Sequence, residues 1–270
     1  MLRVLEQCKR TKAIAAICAF QRSHWHIAVV ALIAFLSHLL AIELAAFWAI
    51  ILISAFIFVF HEDTTPFIPC VLMAYFSISR KHGATNWSNV GIWTTTPYIA
   101  NIACLAVVLL AAIVFHLVYY KQYKNFKKRT FLTAGLAAMA ATFVANGFFA
   151  PDYTVKNLWL GLSFAALYYG FYLLIFHTTQ WKKGYSMRYL AFGLFMMGVV
   201  IAAELGVLYL TLPELRATGD KNLVKLGWGI SNSIAFIFLL TIPFGFYLTY
   251  QEKYSLPYFL GTTAMLIAVI

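Results

Sequence analysis

Nine apolar runs, separated by short polar segments, decide what this chain can fold into. They cover approximately residues 25–41, 44–60, 66–79, 98–120, 130–149, 157–177, 187–211, 229–250 and 255–270. Most approach the ~20 residues that a helix needs to cross a ~30 Å hydrocarbon core. Hydrocarbon offers no partner to a backbone amide, so a spanning run satisfies its own polar groups as a helix. Only 11% of the residues are charged, against ~25% in soluble domains. The expected fold is an all-α, polytopic helix bundle of about nine spans, forming a single transmembrane domain over residues 1–270.

The stretch 25–60 is too long for one span, and His38, Glu43 and the small residues between them suggest a tight hairpin. The run 66–79, with Pro66 and Pro69 at its start, is either a short span or a re-entrant segment. Charge decides between these. The formal net charge is +11, which in a soluble protein would suggest nucleic acid. Here 14 of the 20 basic residues fall in alternate loops: Arg3, Lys9, Arg10, Lys12 and Arg22, then Lys121, Lys124, Lys127, Lys128 and Arg129, then Lys182, Lys183 and Arg188, then Lys253. Such a bias orients a bundle with those loops inside, so no nucleic acid partner is implied. Segments 80–97, 150–156 and 212–226 then face outward and the N-terminus faces inward, which requires three crossings before residue 80 and makes 66–79 the third span.

The last run, 255–270, ends in apolar residues without a polar flank. Sixteen residues reach about 24 Å at ~1.5 Å each, so the sequence leads us to expect truncation within a helix. No short apolar core ends in a small-residue cleavage pattern, so no signal peptide is assigned. Cys8, Cys18, Cys70 and Cys104 form no C-x-x-C pair and have no ligand partners at metal spacing, so they read as small apolar fillers. With nine acidic residues and no D-x-D pair, neither a metal site nor a cofactor site is expected.

Glu204 stands inside the run 187–211. A carboxylate at membrane depth is costly and points to function; alternatively, about two turns from the outer end, it reaches water or pairs with a basic loop residue. His116 and His177 read as interface packing, and His24 and His26 flank Trp25 as at a membrane interface. Glu62 and Asp63, before Thr64, Thr65 and Pro66, read as the first turn of the next helix, where acids favour the dipole.

The stretch LGWGISNSIAFIFLLTIPFGFYLTY, residues 226–250, opens on residues unusual at the mouth of a spanning helix: Gly227, Trp228, Gly229, Ser231, Asn232 and Ser233. Just upstream lie Arg216, Lys221 and Lys225. A hydroxyl or amide can cap the first turn, the helix N-terminus carries partial positive charge, and glycine admits close approach of backbone to a ligand. The mouth therefore reads either as a substrate-binding site for a lipid-linked phosphate or diphosphate, using Arg216, Lys225, Trp228 and Asn232, or as an ordinary helix start with an interfacial tryptophan.

The same stretch resembles the central helix of the O-antigen ligase and polymerase superfamily, in its Gram-positive-like forms. The matching residues are Trp228, Gly229, Asn232, Ile234, Ala235, Pro243, Tyr247 and Leu248. Upstream, the basic hairpin around 116–142 and aromatic-rich spans such as LYYGFYLLIF are similar in style. The resemblance implies a multi-span glycosyltransferase of a bacterial cytoplasmic membrane. It would take sugars from a polyprenyl-diphosphate-linked glycan at the outer face, without metal or other cofactor. The family's functional arginines and histidine lie mainly beyond the matching helix, so the resemblance carries no catalytic residue onto this chain. A secondary transporter or flippase for lipid-linked oligosaccharide is the alternative; it would show internal repeats and buried ionisable groups, of which only Glu204 is evident.

Overall fold

The computed structural model describes residues 11–40, 42–77, 96–122, 130–149, 155–181, 184–226 and 229–269. It is helical apart from one two-residue ladder. The helices are α1 (Lys12–Gln21), α2 (His24–Leu40), α3 (Glu43–Phe60), α4 (Ile68–Ser77), α5 (Thr96–Tyr119), α6 (Phe131–Phe149), α7 (Val155–Ala165), α8 (Phe171–Thr178), α9 (Gly184–Thr211), α10 (Pro213–Thr218), α11 (Ser231–Gln251) and α12 (Leu256–Val269). A π-helical turn, Ala166–Gly170, makes α7 and α8 nearly continuous.

Among the described residues, four helices are long and apolar enough to cross a membrane: Phe131–Phe149, Asn157–Thr178, Tyr185–Thr211 and Ser231–Gln251. A fifth span arises if α1 and the helix after it, bent by 76°, count as one; the segments Leu44–Phe60, Ala103–Tyr119 and Leu256–Val269 are apolar but shorter. The expected hairpin in 25–60 is present, since α2 stops at Leu40 and α3 restarts at Glu43. The expected third span is described as a turn, Thr65–Phe67, and the ten residues of α4. Ten residues rise only about 15 Å, and the continuation 78–95 lies outside the described residues.

Helix α9 is the hub. One side packs on α2 and α4, the other on α11 and α12, while α3 bridges α4 and α5. The core runs along this hub through Tyr189, Phe195, Ile201 and Leu208, meeting Phe238 and Leu248 of α11 and Met265 of α12. Without a strong hydrophobic drive between helices in lipid, association relies on close packing and interhelical hydrogen bonds. Gly198 of α9 supplies such packing: a Cβ there would lie 2.6 Å from the Thr241 hydroxyl of α11. Between α3 and α5, the Trp48 indole donates to Asn101 Oδ1 at 3.1 Å. Helices α6 and α7 pair closely with each other at the periphery. A Cβ on Gly161 would stand 2.5 Å from the Phe143 carbonyl oxygen.

Candidate functional site

Two polar regions lie at opposite ends of α9, whose 28 residues span about 42 Å. The first follows its C-terminal end. Thr211 leads through Leu212 into α10, anchored by buried Leu215. Gly219 closes α10 in the left-handed region at φ 61°, a conformation glycine adopts without steric cost. Asp220 then accepts from the Asn222 amide at 2.9 Å and starts a 3-10 turn, Lys221–Leu223. Lys225–Leu226 pairs antiparallel with Gly229–Ile230, and α11 follows at once.

The sequence-derived binding residues fall as follows. Arg216 is exposed on α10, and Lys221 is exposed in the 3-10 turn. Asn232 and Ser233 are exposed in the first turn of α11, and among the described residues none of the Ser231, Asn232 and Ser233 side chains caps that turn. Arg216 and Asn232 make no contact with each other among the described hydrogen bonds and ion pairs. The backbone of Lys225 lies in the ladder, its side chain outside the described residues; Trp228 lies outside them altogether. Gly229 is engaged opposite Leu226.

Glu204 is 4% exposed, and neither carboxylate oxygen has a hydrogen-bond partner among the described residues. It shares the inward face of α9 with buried Val200, Ile201 and Leu208. Among the two readings of Glu204, the salt-bridged one finds no partner in the described loops.

The second region, at the N-terminal end of α9, is a buried polar network that sequence reasoning passed over. Its centre is Asp63, 6% exposed, on the turn between α3 and α4. Asp63 Oδ1 accepts from the Thr65 amide at 3.1 Å, the Thr65 hydroxyl at 2.8 Å and the Gln180 amide at 3.1 Å. The Thr64 hydroxyl stands 2.6 Å from that of Thr178, which donates to the Leu174 carbonyl. Ser186 Oγ lies 2.9 Å from Thr65 Oγ1 and 3.2 Å from the Gln180 carbonyl. Around this centre, His61 Nε2 pairs with Gln21 Oε1 at 2.8 Å, and the Tyr189 hydroxyl donates to the Gln21 carbonyl at 2.8 Å. The His26 ring meets the Pro66 carbonyl at 3.1 Å. The network thus joins the α1–α2 turn, the α3–α4 turn and the α8–α9 turn at one end of the bundle. The His116 ring, at 2.9 Å from the Phe58 carbonyl, brings the end of α5 to the same place.

Beside the network opens a cavity of about 260 Å³ lined by Arg22, Glu62, Asp63, Gln180 and Tyr185. Glu62 and Asp63, expected in the first turn of the next helix, instead precede it: the 3-10 turn starts at Thr65 after Thr64 and holds no acid, and Asp63 accepts from the Thr65 amide two residues on. Its longer reach to Gln180 had no local signal. No group of three or more His, Cys, Asp or Glu able to hold a metal ion occurs among the described residues.

Comparison with family models, curated proteins and solved structures returns no match.

Proposed function

We propose that this chain is a multi-pass glycosyltransferase, a polysaccharide polymerase or O-antigen ligase-like enzyme, that uses polyprenyl-diphosphate-linked sugars at the outer face of a bacterial cytoplasmic membrane. About nine spans with the N-terminus inside complete this reading, which rests on the basic bias of alternate loops. The resemblance of residues 226–250 supports the enzyme class. The observation that carries it is the exposed pair Arg216 and Lys221 on the segment that leads straight into the first turn of α11. Cationic side chains and free N–H groups at a helix N-terminus suit a diphosphate.

In this reading the acceptor hydroxyl oxygen attacks the anomeric carbon as the bond from that carbon to the diphosphate oxygen breaks. The diphosphate leaves with the bonding pair, and the acceptor proton passes to a base. Arg216 and Lys225 stabilise the leaving charge electrostatically; Glu204, the carboxylate inside the apolar run 187–211, would take the proton.

A transporter or flippase is the second reading, favoured by the buried, unpartnered Glu204, since ionisable groups at membrane depth mark translocation paths. Binding of undecaprenyl diphosphate to the full chain in lipid nanodiscs separates the diphosphate site from its absence. The Arg216→Gln, Lys225→Gln double variant should bind at least ~10-fold more weakly, as loss of charge-assisted bonds implies. Unchanged affinity would show that the site is elsewhere.

A further inference from the structure

Helix α1 has no part in the proposed transfer, and alone it is too short to cross a membrane. Its ten residues, KAIAAICAFQ, rise about 15 Å. It meets α2 at a bend of 76°, so it advances only about 4 Å along the direction of α2. The bend is a built joint. Helix α1 stops at Arg22, and the Ser23 hydroxyl donates to the Phe20 carbonyl at 2.6 Å. Gln21, 4% exposed, pairs through its side chain with His61 beyond α3, while its carbonyl accepts from the Tyr189 hydroxyl of α9. Helix α1 is thereby held across the direction of α2, which packs on α9.

Its surface divides into three sides by helical spacing. Ile14, Cys18 and Gln21 form the buried and half-buried side. On one flank Ala13, Ile17 and Phe20 are exposed, although the Phe20 ring also meets His26 edge-on. On the other flank Lys12, Ala15 and Ala19 are exposed. Two further observations decide what covers the Ile17 flank. Trp25, in the first turn of α2, is 74% exposed, and a tryptophan at the end of a spanning bundle sits at headgroup level. The second is charge. The polar network and the Arg188–Glu252 pair gather at this end the helix ends bordering 1–22, 61–67, 120–130, 179–188 and 251–254. Over their whole sequence these segments carry 14 Lys and Arg against four acids, Glu6, Glu62, Asp63 and Glu252. Helix α1 itself has Lys9, Arg10 and Lys12 at its start and Arg22 at its end. Juxtamembrane basic clusters of this kind attract anionic lipid.

We propose that α1 is an interfacial helix that docks on anionic phospholipid at the N-terminal end of α9. It lies in the plane of the membrane surface. Ala13, Ile17 and Phe20 enter the boundary between headgroups and acyl chains, and the basic residues at the two ends of the helix meet headgroup phosphates. The flank of Lys12, Ala15 and Ala19 faces water. Apolar area removed from water and attraction to anionic headgroups together hold such a helix.

The test uses the full chain in a cysteine-free background, in nanodiscs of phosphatidylcholine and phosphatidylglycerol. Ile17→Cys and Ala15→Cys, on opposite flanks, each carry a fluorophore, and lipids bear a nitroxide quencher either at the top of the acyl chain or near its end. Met139→Cys, half-way along the exposed apolar helix α6, calibrates the deep quencher. Position 17 should be quenched most by the shallow nitroxide, and position 15 most by aqueous iodide. Shallow quenching at 17 should fall at least ~2-fold in phosphatidylcholine alone, and by as much in mixed-lipid discs when Lys9, Arg10 and Lys12 are all replaced by Gln. Strongest quenching of position 17 by the deep nitroxide would make α1 part of a broken span. Quenching of position 17 by iodide alone would place that flank in water or against soluble protein. Shallow quenching indifferent to phosphatidylglycerol would remove the anionic lipid. Each of these three results overturns the proposal.

Discussion

The Asp63 carboxylate and the Gln180 backbone amide, 117 residues apart in the chain, are joined by a 3.1 Å hydrogen bond. With the Thr65 amide and hydroxyl on the same oxygen, this contact ties the α3–α4 turn to the entry of α9. Asp63→Ala would strip the acceptor from three donors at once. Each unsatisfied buried group costs about 1–3 kcal/mol, partly relieved by water from the adjoining cavity. The expected loss is therefore about 2–5 kcal/mol, read from unfolding of the purified chain. Asp63→Asn keeps an acceptor oxygen in place and should cost much less.

The peripheral pair α6–α7 depends on Gly161. Alanine there would drive a Cβ into the Phe143 carbonyl oxygen, 2.5 Å away, and main chain cannot yield as a side chain does. Gly161→Ala should destabilise by about 1–3 kcal/mol, the usual range for overpacking. Gly135→Ala, where nothing lies within 4 Å, should stay within about 0.5 kcal/mol. Equal effects at the two positions would mean that the helices are not in contact at Gly161.

Glu204 sits among buried apolar residues of α9 with both oxygens unpartnered. Glu204→Leu replaces a costly polar group with one of similar length. Thermal unfolding should show stabilisation by about 1–3 kcal/mol, while glycan transfer or transport should fall. Stabilisation without any loss of activity would remove Glu204 from the functional residues.

Arg188 at the start of α9 and Glu252 just beyond α11 form an ion pair, and the Arg188 side chain is 51% exposed. Exposed pairs contribute little, about 0–1 kcal/mol. Glu252→Gln should therefore shift stability by no more than that, with the difference shrinking further at high salt. A larger loss would indicate that the pair is shielded, as burial in the headgroup region would make it.

Much of the helical layout was legible because each run is long and uniformly apolar. The runs 229–250 and 255–270 reappear as Ser231–Gln251 and Leu256–Val269, and the break inside 25–60 falls between Leu40 and Glu43. Helix α1 was missed: KAIAAICAFQ is only ten residues long, half of a span, so a membrane-length criterion overlooks it. The helix mouth at 231 was read correctly as a boundary, but the ladder joining Leu226 to Gly229 had no pattern to announce it. The polar network was illegible for another reason. Thr64 meets Thr178 and Thr65 meets Ser186 across 114 and 121 residues, and no periodicity reports contacts made by packing turns from different helices. Threonine and serine at span ends look alike whether they face headgroups or each other.

The proposed function sets the mouth of α11 on the outer side of the membrane and the far end of that helix on the inner side, and one labelling experiment tests it. In a cysteine-free background, single cysteines replace the exposed residues Thr218, before α11, and Lys253, after it. An impermeant maleimide applied to intact cells should label position 218 strongly. Position 253 should react only after the membrane is permeabilised. Strong labelling at 253 with none at 218 would invert the bundle, and labelling of both in intact cells would show that α11 does not cross.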